Sequence, residues 1–208
     1  MPRGFRLPLI LVTLALVSCD SPKNIPPGAK AGLLDLSNWD LEKGGVVSLS
    51  GEYEFYWRQH LNPEDFRSAG QPEKTGFIRV PGSWNGLSIG GHTLTGTGYA
   101  TYRLTVLLNG TSSVLALKFL DMGTAYTVFA DGVRILAVGN AGTTPELTVP
   151  GYSPQVVDIV PTSRRLELIY QVSNFHHRRG GAWEVIQLGT PGQIHDIRGR
   201  RLEFDLIL

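Results

Sequence analysis

From about residue 33 onward the chain alternates apolar and polar residues with a period of two, and Gly, Pro, Asn and Asp interrupt the alternation at short intervals. In "EYEFYWR", Tyr53, Phe55 and Trp57 face one way while Glu52, Glu54 and Arg58 face the other. "ATYRLTVLL" sets Tyr102, Leu104, Val106 and Leu108 against Thr101, Arg103 and Thr105, and "RLELIYQVS" puts Leu166, Leu168, Tyr170 and Val172 on one side. These segments predict half-buried antiparallel strands. In "YTVFADGVRILAV", Asp131-Gly132 separates two apolar runs and predicts a type I′ hairpin. "NPEDF" predicts one helical turn, with Asn62 as N-cap and Pro63 at the first helical position. Helical periodicity is absent from the rest of the body. The expected class is all-β, a β-sandwich of jelly-roll type.

The ends of the chain carry different signals. "MPRGFRLPLILVTLALVSCDSP" reads as a secretory signal over residues 1–19, with Arg3 and Arg6 ahead of the apolar run Leu7 to Val17. That run is short for a bilayer-spanning helix. It closes on "LVSC", which resembles a bacterial lipobox and makes Cys19, the only cysteine, the expected lipidation site. A lone cysteine excludes an intramolecular disulfide. The expected location is the bacterial cell envelope, outside the cytoplasm and anchored to the membrane. Residues 20–32 form a Pro/Gly-rich tether, and 33–195 form the domain. In 196–208, Arg198, Arg200 and Arg201 precede an apolar run, a pattern that suits either the approach to a membrane span beyond the sequence or a final edge strand. Lys plus Arg (19) nearly balance Asp plus Glu (18), so no field favours nucleic acid.

Motifs for catalysis are missing. There is no G-x-S-x-G elbow, no H-E-x-x-H, and no paired C-x-x-C, and "GGHTLTGTG" lacks the Gly-Lys ending of a phosphate cradle. Glu52, Asp121 and Glu184 stand in no glycosidase pattern. The chain is expected to bind rather than catalyse, without a cofactor. His176 and His177 are adjacent, and on a strand they would face opposite ways; a shared metal would need a loop and help from His195 or His92. Structural Ca²⁺ would favour oxygen ligands near "LDMGT" or "WDLEKGG".

Four segments in order carry a family likeness: "LSGEYEFYW", "VPGSWNG", "GYATYRLTV" with "TAYTVFADGVRI", and "DIVPTSRRLELIYQVSNF". Together they resemble the galactose-binding-like jelly roll of β-galactosidase and β-glucuronidase-type glycoside hydrolases. The likeness is closer to the extracytoplasmic module of bacterial seven-transmembrane receptors with diverse intracellular signalling modules. It implies a sensor domain for a carbohydrate-like small molecule; the alternatives it leaves are an accessory lipoprotein related to the hydrolases and a protein-interaction domain. Sugar recognition needs planar hydrogen-bonding groups and an aromatic face. The loops offer Trp84 and Asn85 after "VPGS", Asn174, His176, His177 and Arg178 after "QVS", and Trp183 beyond the glycines. Tyr99 and Arg103 lie on the strand that enters the core. For Arg103 an ion pair with Glu52 or Glu54 is the competing role, and for Trp84 and Trp183 it is core packing.

Overall fold

The computed structural model describes residues 25–110 and 113–197. The leader, Cys19 and the basic-then-apolar tail lie outside the described residues. In chain order the elements are β1 (Leu33–Leu36), α1 (Leu41–Gly44), β2 (Val47–Ser48), β3 (Gly51–Trp57), β4 (Gly76–Val80), β5 (Ser88–Ile89), β6 (His92–Thr93), β7 (Gly98–Leu108), β8 (Leu115–Phe119), β9 (Ala125–Ala130), β10 (Val133–Val138), β11 (Gln155–Ile159), β12 (Arg165–Asn174) and β13 (Gln187–Gly189). A helical segment over 191–197 follows.

Two sheets face each other. The larger runs β10-β9-β12-β7-β3-β4, with β1 added in parallel beside β7, and the smaller runs β11-β8-β13-β2. The β-sandwich expected from the alternation is present. The residues placed on one face of β3, β7 and β12 meet in the core: Tyr53, Phe55, Tyr102, Leu104, Leu168 and Tyr170 are all buried there. Phe55 packs edge-on against Tyr102 at 5.1 Å, and Tyr126 edge-on against Tyr170 at 5.3 Å, the geometry that aromatic quadrupoles favour. The β9–β10 hairpin turns at Asp131 (φ 47°) and Gly132 (φ 87°), as type I′ requires.

Three details depart from the alternation pattern. Residues 62–67 form turns closed by Asp65 N–H to the Asn62 carbonyl and Arg67 N–H to the Glu64 carbonyl; they are not helical. Asn62 does not cap: its own N–H donates to Asp65 Oδ2 (2.7 Å) while its side-chain oxygen accepts from Gln171 (3.2 Å). This loop also buries the polar face of the large sheet. Tyr56, Phe66 and Ile169 form a second apolar cluster, and Thr101 is buried, accepting from the Leu61 N–H and donating to the Gln59 carbonyl. Finally, the packed body begins ahead of residue 33, because Ala29 is buried and bridges Gly51. None of the described helices is long and apolar enough to cross a membrane.

The strand register defines two ends. Gly98, Asn174 and Ala125 stand together at one end; Leu108, Arg165 and Leu36 stand at the other.

Candidate functional site

At the Gly98 end, four connections converge: 81–97, 120–124, 139–154 and 175–186. The chain gathers the polar loop residues here. Asn85 donates from Nδ2 to the Arg178 carbonyl (2.8 Å) and accepts the Gly180 N–H at Oδ1 (2.9 Å). Asn174, at the last position of β12, donates to the carbonyls of Gly96 (2.6 Å) and His177 (2.7 Å) and accepts the His177 N–H (3.0 Å). Trp84 is 0% exposed and donates from Nε1 to the same Gly96 carbonyl at 3.2 Å. Gly180 lies so close that an added Cβ would collide with the Gly96 carbonyl and the Trp84 indole, so only glycine fits. The backbone of 82–84 is stitched to 180–182 by Gly82 N–H to the Ala182 carbonyl and Trp84 N–H to the Gly180 carbonyl.

The outer rim of this assembly is cationic and aromatic. His176 donates from Nε2 to the Thr148 carbonyl (3.0 Å), which ties in the 139–154 connection. His177 Nδ1 lies 3.1 Å from the Arg179 nitrogen, and its ring stacks on Trp183 at 6.0 Å and 23°. The Arg179 guanidinium sits 5.2 Å from the centre of the Trp183 ring. Arg178 and Arg179 are exposed. Across Gly123, an added Cβ would be 3.5 Å from Tyr152 and 3.8 Å from His177, and Tyr152 is 66% exposed.

Of the residues expected to bind ligand, the structure brings Trp84, Asn85, Asn174, His176, His177, Arg178 and Trp183 to this end. Tyr99 is near it, half-buried and paired with Ser173. Three expectations are corrected. Trp84 is core, with no face open. Asn174 is buried and its amide is engaged by backbone. Arg103 lies mid-strand under the 58–75 loop, donating to Glu167 from Nε (2.8 Å) and from Nη2, and to Glu54 from Nη1 (3.3 Å), with Phe66 over its guanidinium at 4.6 Å. Burial opposes the Arg103 charge, but Glu167 and Glu54 outweigh it and raise its pKa. Glu52, the other partner considered, instead accepts the Ala31 N–H. Tyr152 and Arg179 were not singled out from sequence; a lone Tyr between prolines and the second of two arginines carry no pattern.

The metal readings find no support in the geometry. His195 stands on the 191–197 helix, whose Gln193 bonds α1 at the opposite end, so it cannot join His176 and His177. Among the described residues no three His, Cys, Asp or Glu side chains gather. Asp121 in "LDMGT" accepts the Gly123 N–H, and Asp40 in "WDLEKGG" caps α1 through the Glu42 and Lys43 N–H groups. Asp121 is the one carboxylate of its turn, and at "WDLEKGG" Asp40 is already bonded with Glu42 as the one other carboxylate, a poor basis for Ca²⁺.

A concavity of about 180 Å³ opens at the other end of the sandwich, beside Leu108. Leu36, Trp39 and Leu108 line its apolar floor, and Asp40, Glu42 and Thr190 its edge. No sequence motif marks it, since its walls are ordinary aliphatic and turn residues.

No family model matches the chain, and no curated protein matches it. Solved structures do. Ruminococcus gnavus β-glucuronidase is matched in one structure at 15% identity over 69% of this chain and 28% of the enzyme, TM-score 0.51, and in another at 14% and 0.50 with the same coverage. A GH2 β-galacturonidase from Eisenbergiella tayi bound to galacturonate is matched at 16% identity over 70% of this chain and 24% of that one, TM-score 0.46. The chain thus spans about a quarter of the length of these enzymes, and the Ruminococcus likeness establishes a shared β-sandwich fold.

Proposed function

We propose that this chain is a non-catalytic, carbohydrate-binding β-sandwich that acts outside the bacterial cytoplasm as the sensing domain of a membrane signalling receptor. The observation that carries the binding reading is the convergence of four loops into one rim. There the buried Trp84, Asn174 and Gly180, with the exposed Asn85 amide bonded to the 178–180 backbone, hold the loop of His176, His177, Arg178 and Trp183 in fixed relation. Preformed, rigidly supported polar and aromatic groups are what saccharide sites use. The fold shared with β-glucuronidase supports a carbohydrate partner. The lipobox-like leader and the lack of a catalytic motif support an anchored binding module. The 191–197 helix, the last described element, packs beside α1 at the end opposite the rim, which suits a domain that senses at one pole and connects to a membrane at the other.

The fold likeness to glycoside hydrolases also favours a second reading, an accessory carbohydrate-binding lipoprotein. The reading frame beyond residue 208 separates the two: seven apolar spans support the receptor, and a stop codon the lipoprotein. Binding is tested by glycan array followed by thermal shift, since a ligand that prefers the native state raises its melting temperature. A hit that still stabilises the His176→Ala/His177→Ala/Arg178→Ala triple variant would remove the ligand from the rim.

A further inference from the structure

The hydrogen-bonding balance of the rim is one-sided. Its acceptors are engaged: the carbonyls of Gly96, Thr148, His177 and Arg178, and the side-chain oxygens of Asn85 and Asn174, each already receive a donor. Its donors are left over. Among the described residues, no ion pair includes Arg178 or Arg179, so no described carboxylate lies within 4.0 Å of either guanidinium. The indole Nε1 of Trp183 is buried and has no partner, and an indole nitrogen can only donate. Two fully buried hydroxyls at the same corner, Thr124 Oγ1 and that of Tyr126, also lack partners. Buried donors without a protein acceptor are rare in folded proteins and are served by ordered water or a ligand.

Arg179 differs from an ordinary surface arginine. Trp183 supports its guanidinium, and Trp183 is in turn stacked on His177, whose Nδ1 is fixed by the residue-179 backbone. A cation held this way loses little freedom on engaging a carboxylate, which it can clasp with two parallel N–H bonds. The same stack contacts Trp183, which leaves Tyr152, across Gly123, as the open ring for the apolar side of a sugar. Asp121, bonded to the Gly123 N–H, is the carboxylate placed nearest in this turn.

Resting on the carbohydrate reading above, we infer that the rim recognises an acidic saccharide of the uronate class, with Arg179 clasping its carboxylate and Tyr152 stacking on its ring. The test is calorimetric titration of the purified mature chain with a galacturonate trimer and with the matching neutral galactose trimer. The acidic trimer is expected to bind. Its affinity should fall about tenfold or more in Arg179→Gln, the scale of one charge-assisted bond pair. It should also weaken with added salt, drop in Tyr152→Ala, and stay unchanged in Arg58→Gln, with the melting temperatures of all three variants matching the parent. If the neutral trimer binds as tightly and Arg179→Gln is silent, the acidic class falls while the saccharide reading stands. If neither trimer binds, and the glycan array is also blank, both fall.

Discussion

The two ends of the sandwich are built on opposite plans. At the rim, side-chain amides and backbone carbonyls bond one another, and the buried Trp84 props the loops from beneath. At the Leu108 end, aliphatic side chains and Trp39 leave a hollow edged by Asp40 and Glu42. The rim is held by polar groups that bond one another across loops; the cleft has an apolar floor, with its polar groups confined to the edge. Polar residues in a loop therefore do not equal ligand contacts. At the rim, about half of them are the mortar that fixes the others.

That contrast can be broken most directly at Trp84. Its replacement by alanine should destabilise by about 3–5 kcal/mol, the usual range for a buried large aromatic, read as a drop in the urea midpoint. Gly180→Ala should act in the same direction through its collision with Gly96 and Trp84. A loss below about 1 kcal/mol for Trp84→Ala would mean that the rim is not the firmly held end. Next comes Asn174→Ala, which leaves the Gly96 and His177 carbonyls and the His177 N–H without their amide partner. We expect about 1–3 kcal/mol, together with faster hydrogen exchange over 175–181 and none over 37–45. At the cleft end, Asp40→Ala removes the α1 cap and should cost less than any of these, with exchange rising at 41–45 instead.

Acid should separate the ends by the smallest margin. His60, at the rim end of β3, is half-buried, and burial lowers its pKa against the pull of the Ala141 backbone. The unfolded chain then holds more protons than the native one below about pH 6.5, so stability falls as pH drops through that window and levels off below the native pKa. Asp40 acts in the same direction but in a lower window: hydrogen bonding by Lys43 lowers its pKa, so its contribution persists above about pH 4 and is lost only on further acidification. Thermal melts between pH 7 and 5 should show a decline that His60→Gln reduces and Asp40→Asn does not. An unchanged slope in His60→Gln would remove His60 from the account.

Most of the fold was legible because a period of two is a local property. The residues Tyr53, Phe55, Tyr102, Leu104, Leu168 and Tyr170 declare the core face by alternation alone. The Asp131-Gly132 turn declares its hairpin in the same way. Of the candidate site, the sequence marked the polar loop residues but not their partners. Asn85, Asn174 and Arg178 come from segments that meet in the fold, yet whether an amide is engaged by backbone depends, for Asn85, on a partner 93 residues away. Arg103 shows the same limit: its main partner, Glu167, sits on β12, and nothing near Arg103 in sequence points there. Tyr152 gained meaning only from Gly123 and His177 beside it.

One strand joins the two ends. β7 runs from Gly98 at the rim to Leu108 at the cleft, roughly 35 Å at strand rise. It is laddered to β12 along nearly its whole length, from Asn174 to Arg165. Ladder bonds lie across the strand axis, so a pull of rim against cleft loads all of them in shear at once and cannot unzip them singly. Mechanically the domain is a strut. A load applied at the rim is therefore carried along β7 and β12 to the cleft end by the whole ladder rather than by any single bond.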